Sequence, residues 1–115
     1  MKVFVYFNLH KKVWSVKALE GERKGRVIQH AVELRLRDAT FKVSEAGRQR
    51  VLVEKRKNVH AGVVGYLTDE GFVNFNPKTV SYNPYKAGYF YDKATNEPVY
   101  NSPAVYMASR QVWAA

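Results

Sequence analysis

The chain has 115 residues, 46% hydrophobic and 25% charged, the size and balance of one domain (1–115) with a single core. It has no cysteine, which excludes a disulfide framework and thiolate metal ligands and suits a reducing compartment. No apolar run nears the roughly 18 residues needed to span a bilayer, so no membrane role is expected.

The formal net charge is +9, and its distribution is uneven. Residues 1–26 carry seven Lys/Arg against two Glu, and residues 48–60 carry five against one. Residues 27–47 and 61–115 are each neutral overall. Charge concentrated in this way is the electrostatic footprint of a polyanion partner, DNA or RNA, provided the two segments meet in the fold. The competing reading is a basic surface that only maintains solubility.

In chain order, Val3, Val5 and Phe7 alternate with Phe4 and Tyr6, apolar on both faces as in a central strand. The lysine before this stretch gives it the look of a signal peptide, but it alternates and lacks a small-residue cleavage site, so it reads as a strand of an intracellular protein. Asn8–Lys11 reads as a hairpin loop, and Trp14, Val16 and Ala18 line one face of a second strand. The stretch "EGERKG" is a charged turn, followed by extended chain from Arg26. Residues 32–37, "VELRLR", alternate apolar and charged; Asp38-Ala39 is expected to break the strand before a short one at Thr40–Val43. A helix over about residues 45–57 starts at an Ser44 N-cap, holds Lys55, Arg56 and Lys57 in its last turn and ends at Asn58. Its predicted apolar stripe is Ala46, Leu52 and Val53. His60–Leu67 is a Val/Gly-rich strand, "TDEG" a turn and "FVNFN" (72–76) another strand. Asn-Pro pairs at Asn76 and Asn83 mark turns, "DKATNEP" a hairpin loop, and the closing "RQVWAA" an edge strand. The fold class is α+β: a largely antiparallel, curled or barrel-like sheet with one helix.

Three groups of residues carry candidate chemistry. Arg48, Arg50, Lys55, Arg56 and Lys57, with Lys11, Lys12, Arg23, Lys24 and Arg26 from the loops, are candidate phosphate contacts. Tyr82, Tyr85, Tyr89 and Tyr91 stand among lysines and are candidate base-stacking surfaces, although tyrosine also serves simply as a half-buried strand residue. His10 and His60 are the candidate acid–base pair of a metal-independent ribonuclease, with Arg56 and Lys57 as charge stabilisers. No metal site and no cofactor is expected, since the histidines lack helical ligand spacing and no acidic cluster accompanies them. Nucleophile and phosphate-loop motifs are missing from the sequence.

The stretch "FKVSEAGRQRVLVEKRKNVHAGVVG" (Phe41–Gly65), the opening "VFVYFNLHKKVWSVKALEG", and the later "YNPYK" and "DKATNEPVY" resemble a group of small uncharacterised proteins encoded by tailed bacteriophages. The resemblance covers most of the chain and brings no catalytic residues or substrate with it. It implies an accessory protein acting in the bacterial host cytoplasm, of a kind that binds nucleic acid or inhibits a host enzyme or defence complex. Sequence and resemblance together favour a nucleic-acid-binding module without sequence specificity. The alternatives are a protein-binding inhibitor or adaptor, its partner an acidic host protein, and the ribonuclease.

Overall fold

The computed structural model describes residues 1–71 and 76–115. Among the described residues, nine strands and one helix follow in the order β1 (Lys2–Asn8), β2 (Val13–Ala18), β3 (Val27–Ala31), β4 (Glu33–Val43), α1 (Glu45–Glu54), β5 (Ala61–Leu67), β6 (Lys78–Ser81), β7 (Tyr91–Asp92), β8 (Asn101–Ala108) and β9 (Gln111–Ala114). The strands form one sheet in the order β3-β2-β1-β5-β4-β8-β9-β6-β7, with every adjacent pair antiparallel. The expected α+β class and antiparallel sheet are therefore the architecture found. Most of the predicted strand at 72–76 lies outside the described residues.

The sheet curls so that its inner face becomes its own core. Alternation makes this possible: Val5 of β1 lies between Val16 of β2 and Val63 of β5, all three on the inner face and all fully buried. The same core takes in Leu36, Val105 and Met107 from the middle of the sheet and Val80, Val112 and Ala114 from its far side. The outer face alternates with it and carries aromatic rings beside cations. Arg35 lies 5.0 Å from the ring centroid of Tyr106, which stacks on Trp113 at 5.3 Å, and Arg37 lies 4.9 Å from that of Tyr66.

Four local expectations are corrected. Asp38 does not break its strand; β4 runs through it as a bulge, with Asp38 at φ +48° and the β5 register slipping by one between Arg37 and Thr40. The extra residue switches the inward parity from Leu36 to Ala39 and Phe41, and pairing with β5 on one side and β8 on the other continues past it. Val32 is not inward at all; it sits between β3 and β4 and is 74% exposed. The closing strand, β9, is not an edge, because β8 pairs with one side of it and β6 with the other. The edges of the sheet are β3 and β7.

The helix is also shorter and turned differently from its prediction. Ser44 caps it, its hydroxyl accepting from the Gly47 N–H, but it ends at Glu54 with Lys55 in the left-handed conformation, the Lys55 N–H donating to the Val51 carbonyl. Arg56 and Lys57 lie beyond the helix. The buried helix residues are Gly47 and Val51, whereas Val53 is 76% exposed and Ala46 is exposed as well. The cause is the helix's neighbour, which is the polar return strap into β5 rather than the apolar inner face. The Asn58 amide donates to the Gly47 carbonyl, and the Ser44 N–H donates to the His60 carbonyl. Among the described residues, no helix is long and apolar enough to cross a membrane.

This docking reverses the usual sign of a helix substitution. Replacing an interior helical glycine with alanine normally stabilises by roughly 0.5–1 kcal/mol. A Cβ on Gly47 would lie 2.4 Å from the His60 Cβ. Gly47→Ala is therefore expected to destabilise by about 1–3 kcal/mol, read as a lowered midpoint in urea unfolding monitored by circular dichroism. An unchanged or raised midpoint would show that the helix does not sit this close to β5.

Candidate functional site

One end of the sheet gathers most of the chemistry. The β1–β2 turn is held by Asn8, whose side-chain oxygen accepts from the N–H groups of both His10 and Lys11, while Lys12 adopts φ +56°. The antiparallel register of β1 against β5 puts the start of β5, and so His60, at the same end. The return strap 55–59 and the turn at Asn83–Lys86 complete the enclosure. Asn83 opens that turn, its carbonyl accepting from the Lys86 and Ala87 N–H groups. Between these parts lies a groove of about 780 Å³.

The groove is cationic. Lys55, Arg56, Lys57 and Arg110 line it together with His10 and His60, and no carboxylate does so among the described residues. Its ring surfaces are Tyr6, Phe7, Tyr82 and Tyr85, of which Tyr85 is 60% exposed. The Lys55 ammonium lies 5.6 Å from the Tyr85 ring centroid, and the Arg110 guanidinium 5.0 Å from that of Phe7. A floor of rings edged by cations matches a polyanion that also offers aromatic faces.

The remaining predicted residues are distributed unevenly. Lys11 and Lys12 are exposed on the turn that supplies His10 to the groove. Arg48 is occupied: its Nε donates to the Pro84 carbonyl at 3.0 Å, and it pairs with Glu45 at 3.1 Å. It serves to hold the helix against the 83–86 turn. Arg50 is exposed on the helix and does not line the groove. Arg23, Lys24 and Arg26 lie in the β2–β3 turn, where the Leu19 N–H donates to the Lys2 carbonyl at the start of β1. The length of β1, seven residues, separates them from the groove by roughly 20 Å. The two basic segments therefore meet only through the 8–12 turn. Among the tyrosines, Tyr89 is paired with Tyr100 at 6.4 Å, away from the groove lining. Tyr91 is 8% exposed, with the Lys86 ammonium 4.4 Å from its ring centroid, so it offers no free stacking face.

His60 is bound on both nitrogens. Its Nδ1 lies 3.1 Å from the Asn58 carbonyl and its Nε2 lies 2.7 Å from the Tyr82 hydroxyl. A carbonyl can only accept, so Nδ1 carries the proton and, in the neutral ring, Nε2 accepts from Tyr82. The third histidine, His30, has its Nδ1 3.0 Å from the Ser15 hydroxyl on the far strands of the sheet. Burial raises the Tyr82 pKa above that of free tyrosine, with a smaller opposing pull from Arg48 and a small further rise from Glu45.

Arg110 is the groove residue that sequence reasoning misses. It sits in the tight turn joining β8 to β9, in a stretch whose charges cancel, so a segment-by-segment charge count passes over it. Phe7 and Asn83 escape for a related reason, being legible only as strand and turn residues.

The whole chain, residues 1–115, matches the family model described as Mycobacterium phage L5 gene 82 protein. The chain belongs to this phage family. A curated member of the gene 82 family, the Gene 82 protein of Mycobacterium phage L5, is 41% identical over 121 residues, covering 100% of this chain and 96% of that protein. No solved structure matches. The tailed-phage resemblance carried by Phe41–Gly65 is thus the family relationship itself.

The burial of Tyr82 makes a pH prediction for this gene 82 family member. A phenol whose folded pKa is raised contributes stability in full below the unfolded value of about 10, and loses it as pH rises through the folded value. Tyr82→Phe removes that loss. Between neutral pH and pH values above that of free tyrosine, the urea midpoint of the wild type is expected to fall further than that of the variant. Equal falls would mean that Tyr82 ionises as freely as an exposed tyrosine.

Proposed function

We propose that the protein binds single-stranded nucleic acid, without sequence specificity, in the groove at the helix end of the sheet, and acts in the cytoplasm of the bacterial host. The observation that carries this reading is the carboxylate-free lining that combines Lys55, Arg56, Lys57 and Arg110 with the rings of Phe7, Tyr82 and Tyr85. A duplex keeps its base faces stacked inside, whereas a single strand presents them to such rings while its phosphates reach the cations. The asparagines that line the groove are engaged in holding its own backbone, Asn8 on the His10 and Lys11 N–H groups, Asn58 on the Gly47 carbonyl and Asn83 on the Tyr85 N–H, which supports binding without sequence preference.

A ribonuclease reading gains less support. His10 and His60 do line one groove, but the lone pair that a general base would use on His60 is already taken by the Tyr82 hydroxyl.

Titration of labelled single-stranded DNA, RNA and duplex DNA at several salt concentrations tests the proposal. Single strands are expected to bind more tightly than duplex. If about six phosphates are neutralised, the log–log salt slope on single strands is about −4. Replacing Arg56 and Lys57 by glutamine together is expected to weaken binding about tenfold or more, whereas the Arg23→Gln, Lys24→Gln pair at the opposite end changes it little. Salt-independent affinity, or equal losses in the two pairs, would remove the groove from consideration.

A further inference from the structure

Behind the cationic groove lies a second cavity of about 590 Å³, inside the curl of the sheet. The two share Tyr6, Phe7, Ala61, Tyr82 and Arg110, so the groove opens into a chamber with Arg110 at the passage between them. Three features set the chamber apart from ordinary core packing. First, its lining mixes the rings of Phe7, Trp14 and Phe90 with the polar side chains of Ser81 and Gln111, and its charged members, Lys93 and Arg110, are both cations. Its volume lies within the roughly 300–1,000 Å³ of small-molecule sites, which combine apolar walls with a few placed polar groups.

Second, Trp14 is 5% exposed and lines the chamber, and its buried Nε1–H has no hydrogen-bond partner among the described residues. An unmatched buried donor is costly, and an acceptor on a bound molecule would relieve that cost. Third, Arg110 is held under strain. Ser109 and Arg110 form a two-residue hairpin turn with φ +50° and +66°, a geometry that asparagine and glycine adopt readily and that costs other residues roughly 1–2 kcal/mol each. Its guanidinium lies over Phe7, and among the described residues no carboxylate pairs with it. Strain of this kind collects at binding sites, where the surroundings fix a side chain in place.

We infer that the chamber takes the base of a nucleoside 5′-phosphate, with Trp14 Nε1–H donating to a ring acceptor of the base and Arg110 holding the phosphate at the mouth. This rests on the nucleic-acid reading of the groove and gives it a ligand class: a free nucleotide or the 5′-terminal nucleotide of a strand. A heteroaromatic base supplies what the lining requires, a flat apolar face for Phe7 and an acceptor for Trp14. An acyl chain would fill the same space and leave the indole N–H unmatched. The phosphate meets Arg110 through N–H groups that the ring contact leaves free, in the bidentate manner guanidinium favours.

The test is nuclear magnetic resonance of the ¹⁵N-labelled full chain, which has two tryptophans and so two indole N–H signals. Trp113, on the outer face, is replaced by phenylalanine to assign them; should that variant not fold, Trp14→Phe assigns them instead. The probes are the common nucleoside 5′-monophosphates, adenosine, decanoate and a short oligonucleotide carrying a 5′-phosphate. The expected result is a saturating downfield shift of the Trp14 signal with at least one nucleotide, with the Trp113 signal still. The dissociation constant should rise about tenfold in Arg110→Gln and about tenfold for adenosine, which lacks the phosphate. The same shift with the oligonucleotide would identify strand ends as a source of the ligand; its absence, with the nucleotide shift intact, would identify the free nucleotide. A Trp14 signal unmoved by millimolar nucleotide while the oligonucleotide still binds overturns the chamber and leaves the groove reading standing. A decanoate shift equal to that of the nucleotides overturns base recognition. If neither nucleotide nor oligonucleotide perturbs the spectrum, both readings fall.

Discussion

The structure turns on a close approach between two backbones. Gly47 has no side chain, so the helix lies against His60 at a distance that any Cβ would forbid. Three hydrogen bonds secure it there: the Ser44 N–H on the His60 carbonyl, the Asn58 amide on the Gly47 carbonyl, and the Tyr82 hydroxyl on His60 Nε2. The last of these ties in β6, a strand far from β5 in the sheet order. His60 is thus the point where helix, sheet and the Tyr82–Lys86 turn converge. The placement of Lys55–Lys57 follows, because the helix held there ends at Glu54 and the chain turns at Lys55 to return to β5.

Much of the scaffold is legible in the sequence for a clear physical reason. Residues 3–7 and 13–18 are strand-like and joined by a short turn, so their pairing is local, and in the second of them Trp14, Val16 and Ala18 are legible as one buried face. The Ser44 cap is legible on the same grounds. Errors arise wherever a distant partner decides. Asp38 carries the signal of a break, but pairing with β5 and β8 on both sides absorbs it as a bulge. The last strand is read as an edge, yet β6 pairs with its second side from far upstream. The helix face is misread because apolarity points to Leu52 and Val53, while the surface it meets is polar and the decisive contact is a glycine, a residue no hydrophobic pattern detects.

The candidate site shows the same division. Local charge counting finds Lys55, Arg56 and Lys57, and proximity in the chain links His60 to them. It cannot show that the β2–β3 turn carrying Arg23, Lys24 and Arg26 lies at the other end of β1, because direction along the sheet is a property of pairing. It also overlooks Arg110, whose relevance comes from where a hairpin between two distant strands ends. Charge by itself describes a basic surface; the curl of the sheet turns it into a groove that opens onto a cavity of its own core.

The antiparallel sheet that makes the groove has a kinetic consequence. Its central pairings join residues far apart in the chain: Phe4 lies beside Val64, and Thr40 bonds Asn101 at a separation of 61 residues. Contacts of this range form late, since the cost of closing long loops comes before the energy of the contacts they allow. The groove walls come from the first turn, the strap after the helix, the 83–86 turn and the β8–β9 hairpin, so no early or partial structure contains the site. Any affinity that depends on it arises only with the completed sheet.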